Sequence, residues 1–136
     1  MQIAHISDLH FSKISLSPAQ FFSKRWIGNF NCLLNRGDNF LKERAYSLIK
    51  LFKSLNIDYV IITGDATTTG SHSEYKQAKS YVDALTKEGF KVFIIPGNHD
   101  HYTKKNYREK TFYHYFPSPA TPYPFNLKEH GVTACP

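Results

Sequence analysis

Asp8-Leu9-His10, Gly64-Asp65 and Gly97-Asn98-His99-Asp100 gather the residue types that bind cations and move protons. Together they offer carboxylates at Asp8, Asp65 and Asp100, imidazoles at His10 and His99, and the amide of Asn98. Carboxylates crowded into one place raise one another's pKa unless positive charge compensates them. A divalent ion supplies that charge, and Asp, His and Asn donors suit Mn²⁺, Fe²⁺ or Zn²⁺ better than they suit the thiolate-rich chemistry of structural zinc. In Asp8-Leu9-His10 the one-residue gap predicts that both side chains lie on the same side of an extended segment and reach one ion. Gly64 and Gly97 admit backbone geometry that other residues resist, and let the chain pass close to an ion or a phosphate. Each cluster alone has a plain structural explanation: a capping Asp beside a surface His, an ordinary strand-end turn, an Asn in a left-handed turn next to a solvated His. It is their joint occurrence, each after an apolar segment, that points to a site.

Those apolar segments must bring the clusters together. Residues 1–7 (MQIAHIS), 58–63 (DYVIIT) and 91–96 (KVFIIP) are rich in β-branched or aromatic residues and are followed by turn chemistry. The last two are nearly continuous in apolar character, which predicts strands covered on both faces in a parallel sheet. Between them, Leu41, Ala45, Leu48, Ile49, Phe52 and Leu55 recur at helical spacing behind a candidate N-cap at Asp38. Tyr75, Ala78, Val82 and Leu85 form a second stripe over about 72–87, with Ser71 and Glu74 matching a capping box and Gly89 a stop signal. Strand-helix alternation of this kind predicts an α/β layered architecture with a parallel sheet and right-handed crossovers. Parallel strands put their carboxyl ends at one edge, where open α/β sheets bind ligands, so the three clusters should meet there.

The chain has 136 residues, enough for one modest core, which excludes a multidomain enzyme. With 41% hydrophobic and 21% charged residues it is neither disordered nor fibrous. A net charge of +6 favours phosphate-bearing partners or anionic membrane surfaces, without choosing between them. Cys32 and Cys135 lack metal-type or redox-type spacing and are expected as reduced thiols. No apolar run is long enough to span a bilayer and the start lacks signal-peptide character, so the expected location is the cytoplasm.

Asp8-x-His10, Gly64-Asp65 and Gly97-Asn98-His99-Asp100, in this order and each after a strand, resemble the first three motifs of the calcineurin-like metallophosphoesterases. The resemblance implies a β-sandwich flanked by helices, and an enzyme that hydrolyses a phosphomonoester, phosphodiester or pyrophosphate bond with hydroxide activated by two divalent metal ions, Mn, Fe or Zn. It implies that Asp8 and His10 bind the first ion, that Asp65 bridges both, and that Asn98 binds the second. His99 would be the catalytic proton donor or charge stabiliser, with Asp100 holding its imidazole. Members of the family continue with a lone His and a Gly-His-x-His segment; here the later histidines are His101, His114 and His130, and His130 precedes Gly131 instead of following a glycine. Residues 1–136 therefore read as the amino-terminal part of one such domain, incomplete at the carboxyl end, with self-association or partial disorder through an uncovered face or edge, and with weak metal binding and little or no turnover in isolation.

Other features are less specific. Residues 12–37 insert into the first crossover, and Phe22, Trp26, Phe30, Leu33 and Leu34 repeat at helical spacing around Lys24, Arg25 and Arg36. An amphipathic helix there is expected to pack as a lid, or to make peripheral membrane contact through residues 21–36, which would suit a nucleotide-linked lipid substrate. Four prolines make 117–124 a loop, the aromatic-rich segment 107–116 before it is only weakly helical, and 131–135 (GVTAC) has the character of a strand's start. Tyr102 to Phe116 carries rings that could stack on bases, but no nucleic-acid motif accompanies them. His5 reads as a core or surface histidine, Thr67 and Thr68 as loop hydroxyls, and His101 has no assigned role. The alternative to an enzyme is a non-catalytic interaction scaffold or inactive fragment on the same fold; intact early motifs favour catalysis, and the absent downstream histidines keep the scaffold open.

Overall fold

The computed structural model describes residues 1–12, 38–117, 125–127 and 132–134. Its elements run β1 (Ile3–Ile6), α1 (Asp38–Ser54), β2 (Tyr59–Thr63), α2 (His72–Lys87), β3 (Lys91–Ile95), α3 (Lys104–Arg108), α4 (Thr111–Tyr115), β4 (Phe125–Leu127) and β5 (Val132–Ala134). The first three strands form a parallel sheet in the order β1-β2-β3, with Ile6, Ile62 and Ile94 in register across it. Their carboxyl ends share one edge, as the strand-helix alternation requires. Strands β4 and β5 pair antiparallel in a separate two-stranded ladder; β5 matches the strand expected near 131–135, and β4 follows the proline-rich stretch.

Helix α2 begins as its sequence dictates. The Ser71 hydroxyl accepts the Glu74 amide and the Glu74 carboxylate accepts the Ser71 amide, closing the capping box. The same carboxylate is buried and also accepts the amide and hydroxyl of Thr69, so the cap holds the loop that follows β2. On the inner face of the sheet, Val60 and Ile62 are fully buried against Ala45 and Phe52 of α1 and Tyr75, Ala78, Tyr81 and Leu85 of α2. Burial of each such aliphatic side chain is worth about 1.5–3 kcal/mol. The two helices meet edge to face through Tyr46 and Tyr81, ring centroids 5.4 Å apart.

The continuous apolar runs of β2 and β3 suggest cover on both faces; among the described residues, helices cover one of them. Both long helices contribute to one cluster on one face. The other face carries Ile3 at 39% and Ile95 at 42% exposure, beside His5, Ile61 and Phe93. It is made tolerable partly by itself: Tyr59 and Phe93 stack at 6.1 Å, with the Lys91 amine 5.1 Å from the centre of the Tyr59 ring. His5 lies on this face and pairs with the Thr63 hydroxyl at 2.7 Å, the surface role expected of it.

The segment 107–116 resolves into the ends of two one-turn helices, with Lys110 in the left-handed conformation (φ 49°) between them. Thr103 caps α3 through the Asn106 amide, and the Asn106 side chain donates to the Gly70 carbonyl at 2.6 Å, anchoring α3 to the β2 loop. Of the insertion at 12–37 only residue 12 is among the described residues, so its amphipathic helix and the expected membrane contact at 21–36 lie outside them, as do Cys32 and Cys135. No described helix is long and apolar enough to cross a membrane.

Candidate metal centre

Beyond β1 the chain keeps pairing with the segment beyond β2. The amides of Asp8, His10 and Phe11 donate to the carbonyls of Gly64, Asp65 and Ala66 at 3.3, 2.9 and 2.9 Å, and Phe11 forms a parallel bridge with Thr67. This is not simple extended chain, because Asp8, His10 and Asp65 all adopt positive φ (57°, 46° and 52°) beside Gly64 at 98°. The convergence of Asp8 and His10 expected from extended spacing is therefore achieved differently: two left-handed kinks turn both side chains to one side. Left-handed conformations outside glycine cost about 1–2 kcal/mol each and gather at functional sites.

The kinks bring ligand atoms of Asp8, His10 and Asp65 within 4.8 Å of one another. Asp8 Oδ1 lies 3.6 Å from His10 Nε2. Donors on one ion at about 2.1 Å can stand no more than roughly 4.2 Å apart, so a shift of under an ångström by partly exposed side chains would close the set. Two carboxylates and an imidazole fit a divalent cation in both charge and donor type.

The third loop is locked onto the second. Asp65 Oδ1 accepts the His99 amide at 2.9 Å, and a Cβ built on Gly97 would stand 2.2 Å from that oxygen. A Cβ on Gly64 would stand 2.7 Å from the Gly97 Cα. Gly97 is thus required by the approach of the Asp65 carboxylate and Gly64 both by its φ and by the touching backbones. Asn98 is exposed in the turn between Gly97 and His99.

His99 and Asp100 act separately. Asp100 is completely buried; Oδ1 accepts the Thr67 amide and hydroxyl at 2.9 and 2.8 Å, and Oδ2 accepts the amides of Ala66 and Gly97 at 3.2 and 3.0 Å. The Tyr75 hydroxyl donates to the Asp100 carbonyl. This corrects the expectation that Asp100 holds the imidazole of His99: its carboxylate clamps the β2 and β3 loops together. The ring of His99 is held instead by the Thr68 carbonyl, 2.8 Å from Nδ1. A carbonyl only accepts, so Nδ1 carries the proton and Nε2 is left for chemistry. The ring meets that of His10 edge to face at 4.9 Å and stacks on Tyr102 at 5.8 Å.

Thr68 is the residue that sequence reasoning undervalued. Its amide donates to the Phe11 carbonyl and its hydroxyl to the His10 carbonyl, each at 3.1 Å, while its own carbonyl takes His99. It joins both site histidines. The one hint in the sequence is a run of three threonines directly after Gly64-Asp65-Ala66.

Comparison with known proteins follows the same residues. The family model for calcineurin-like phosphoesterases matches residues 1–132. A probable cyclic nucleotide phosphodiesterase of Vesicomyosocius okutanii is 31% identical over 104 residues, covering 76% of this chain and 38% of that protein. One from Coxiella burnetii is 32% identical over 100 residues, covering 74% of this chain and 32% of that protein. The aligned chain thus spans about a third of the length of these relatives.

Proposed function

The chain belongs to the calcineurin-like phosphoesterase family, and we propose that it carries the metal-holding half of a divalent-metal-dependent phosphoesterase centre. The observation that supports this most is the convergence of Asp8, His10 and Asp65 from two strand ends, all three at positive φ, with ligand atoms within 4.8 Å of one another. The substrate is a phosphomonoester, phosphodiester or pyrophosphate, and the names of the two relatives favour the phosphodiester of a cyclic nucleotide.

In this reading Asp8, His10 and Asp65 would hold one divalent ion, with Asp65 shared with a second ion that Asn98 would serve from the exposed turn. Bound ions supply positive charge against the phosphoryl oxygens and an acidified water for hydrolysis. Asp65 is oriented for its role by the His99 amide on Oδ1. Protonated on both ring nitrogens, His99 would deliver the Nε2 proton to the departing oxygen as the phosphorus–oxygen bond breaks, and be left as the neutral Nδ1–H imidazole. Its Nδ1 proton, shared with the Thr68 carbonyl, fixes which nitrogen faces the substrate. Asp100 positions both loops without touching the imidazole.

The test is release of p-nitrophenol from bis-p-nitrophenyl phosphate by the purified chain. Slow, Mn²⁺-stimulated release that disappears in Asp65→Asn and falls on the order of a hundredfold in His99→Asn is expected. Release that persists undiminished in Asp65→Asn or in excess chelator would contradict the reading.

A further inference from the structure

Helices α3 and α4 meet at a corner that the metal centre does not use. A cavity of about 630 Å³ opens there, lined by His101, Tyr107, Arg108, Lys110 and Tyr113. Its composition is specific: rings from two tyrosines and a histidine, with a guanidinium and an ammonium beside them. Tyr107 and Tyr113 are 69% and 43% exposed, so their rings are accessible at the rim. Both meet the His101 ring, Tyr107 edge to face at 5.7 Å and Tyr113 tilted at 6.5 Å between centroids. His101 Nδ1 is buried and has no hydrogen-bond partner among the described residues. Lys110 holds its place at a positive φ of 49°, a conformation for which glycine or asparagine is the ordinary choice. Backbone strain under a cationic side chain at the rim of a cavity is an outlier that calls for a use.

We infer that this corner is a binding site for a mononucleotide-like ligand, a planar ring joined to a phosphate. The tyrosines supply faces for the ring, as aromatic side chains do wherever bases are bound without regard to sequence. Arg108 and Lys110 supply the charge for the phosphate, the guanidinium through a planar fork. The volume lies within the range of small-ligand sites and suits a single nucleotide. The inference does not depend on the phosphoesterase reading, since none of these side chains is a proposed metal ligand.

Adenosine 5′-monophosphate is the probe, titrated into ¹⁵N-labelled 136-residue chain in excess EDTA so that phosphate cannot be held through an ion at Asp8, His10 and Asp65. Saturable shifts centred on residues 101 and 107–113 are expected, with adenosine and ribose 5-phosphate each binding at least about tenfold more weakly than the whole nucleotide. Lys110→Gly is the sharpest variant. It relieves the left-handed strain, so it should melt no lower than the parent while binding the nucleotide on the order of tenfold more weakly. Tyr113→Ala should weaken adenosine as well as the nucleotide. The inference is overturned if no saturable shift occurs, if shifts centre on residues 8–10 and 65, or if Lys110→Gly binds as the parent does. It is likewise overturned in favour of a nucleic-acid surface if affinity for oligoadenylates climbs steadily with their length.

Discussion

Asp100 has four hydrogen-bond donors aimed at two carboxylate oxygens, so Asp100→Asn turns one acceptor into a donor that faces other donors. A loss of about 2–4 kcal/mol is expected from a buried carboxylate whose partners are left unsatisfied. The urea midpoint measures it, and an unchanged midpoint would mean that the clamp between the loops carries no stability. Thr68→Val keeps the carbonyl that holds His99 and removes only the hydroxyl on the His10 carbonyl. Mn²⁺ affinity should fall on the order of tenfold, as when other supports of metal ligands are removed, and Thr68→Ser should restore it. Equal affinity in all three proteins would reduce Thr68 to a spacer. Asp8, His10 and Asp65 were legible in the sequence because a metal ligand must be a particular side chain. Thr68 was not, since the carbonyl it offers to His99 is one that every residue possesses. Nor do residue types reveal the left-handed angles at Asp8 and His10, which replace the extended geometry that their spacing suggests.

Elements meet at places where one atom decides the fit. Gly97→Ala would place a methyl group 2.2 Å from the Asp65 carboxylate and 2.5 Å from the Asp65 amide, forcing the β2 and β3 loops apart. Overpacking of that kind costs about 1–3 kcal/mol, and Mn²⁺ binding should be lost along with it. Tyr81, where α2 packs on α1, has a buried hydroxyl with no partner among the described residues. Burial first, and the neighbouring Tyr46 second, push its pKa up to about 12 from an ordinary 10.0. The folded state thus favours the protonated phenol: the associated stability is complete below pH 10 and is lost as pH rises towards 12. Tyr81→Phe should remove that alkaline loss and leave the chain as stable at pH 7, or more so by about 1 kcal/mol. A clear fall in melting temperature at pH 7 would show a hydrogen bond that the structure lacks. The three parallel strands and both long helices were legible from apolar period, and the Ser71–Glu74 box closes as its sequence requires. The two short helices around Lys110 were not, because five-residue helices have too few periodic positions to stand out and a positive φ at a lysine has no sequence signal.

At the scale of the molecule, the sheet has one face under two helices and one face open among the described residues. Ile3→Thr and Ile95→Thr should each cost less than about 0.5 kcal/mol, as surface changes do, whereas Ile62→Val on the covered face should cost about 1 kcal/mol. Equal costs on both faces would mean that the outer face is buried in solution. The run of apolar residues in β2 and β3 gives no sign of this asymmetry among the described residues, where Tyr59 and Phe93 stack on the face away from the helices. What the sequence did convey at this scale is that parallel strands deliver their carboxyl ends to one edge, and the account rests on that delivery. Mn²⁺ titration of the purified chain, followed by calorimetry, tests it most directly. Saturable binding that weakens at least about tenfold in Asp8→Asn and in Asp65→Asn, yet is unchanged in the exposed helix variant Asp83→Asn, is the expected result. No saturable binding, or equal binding in Asp65→Asn and the parent, would contradict it.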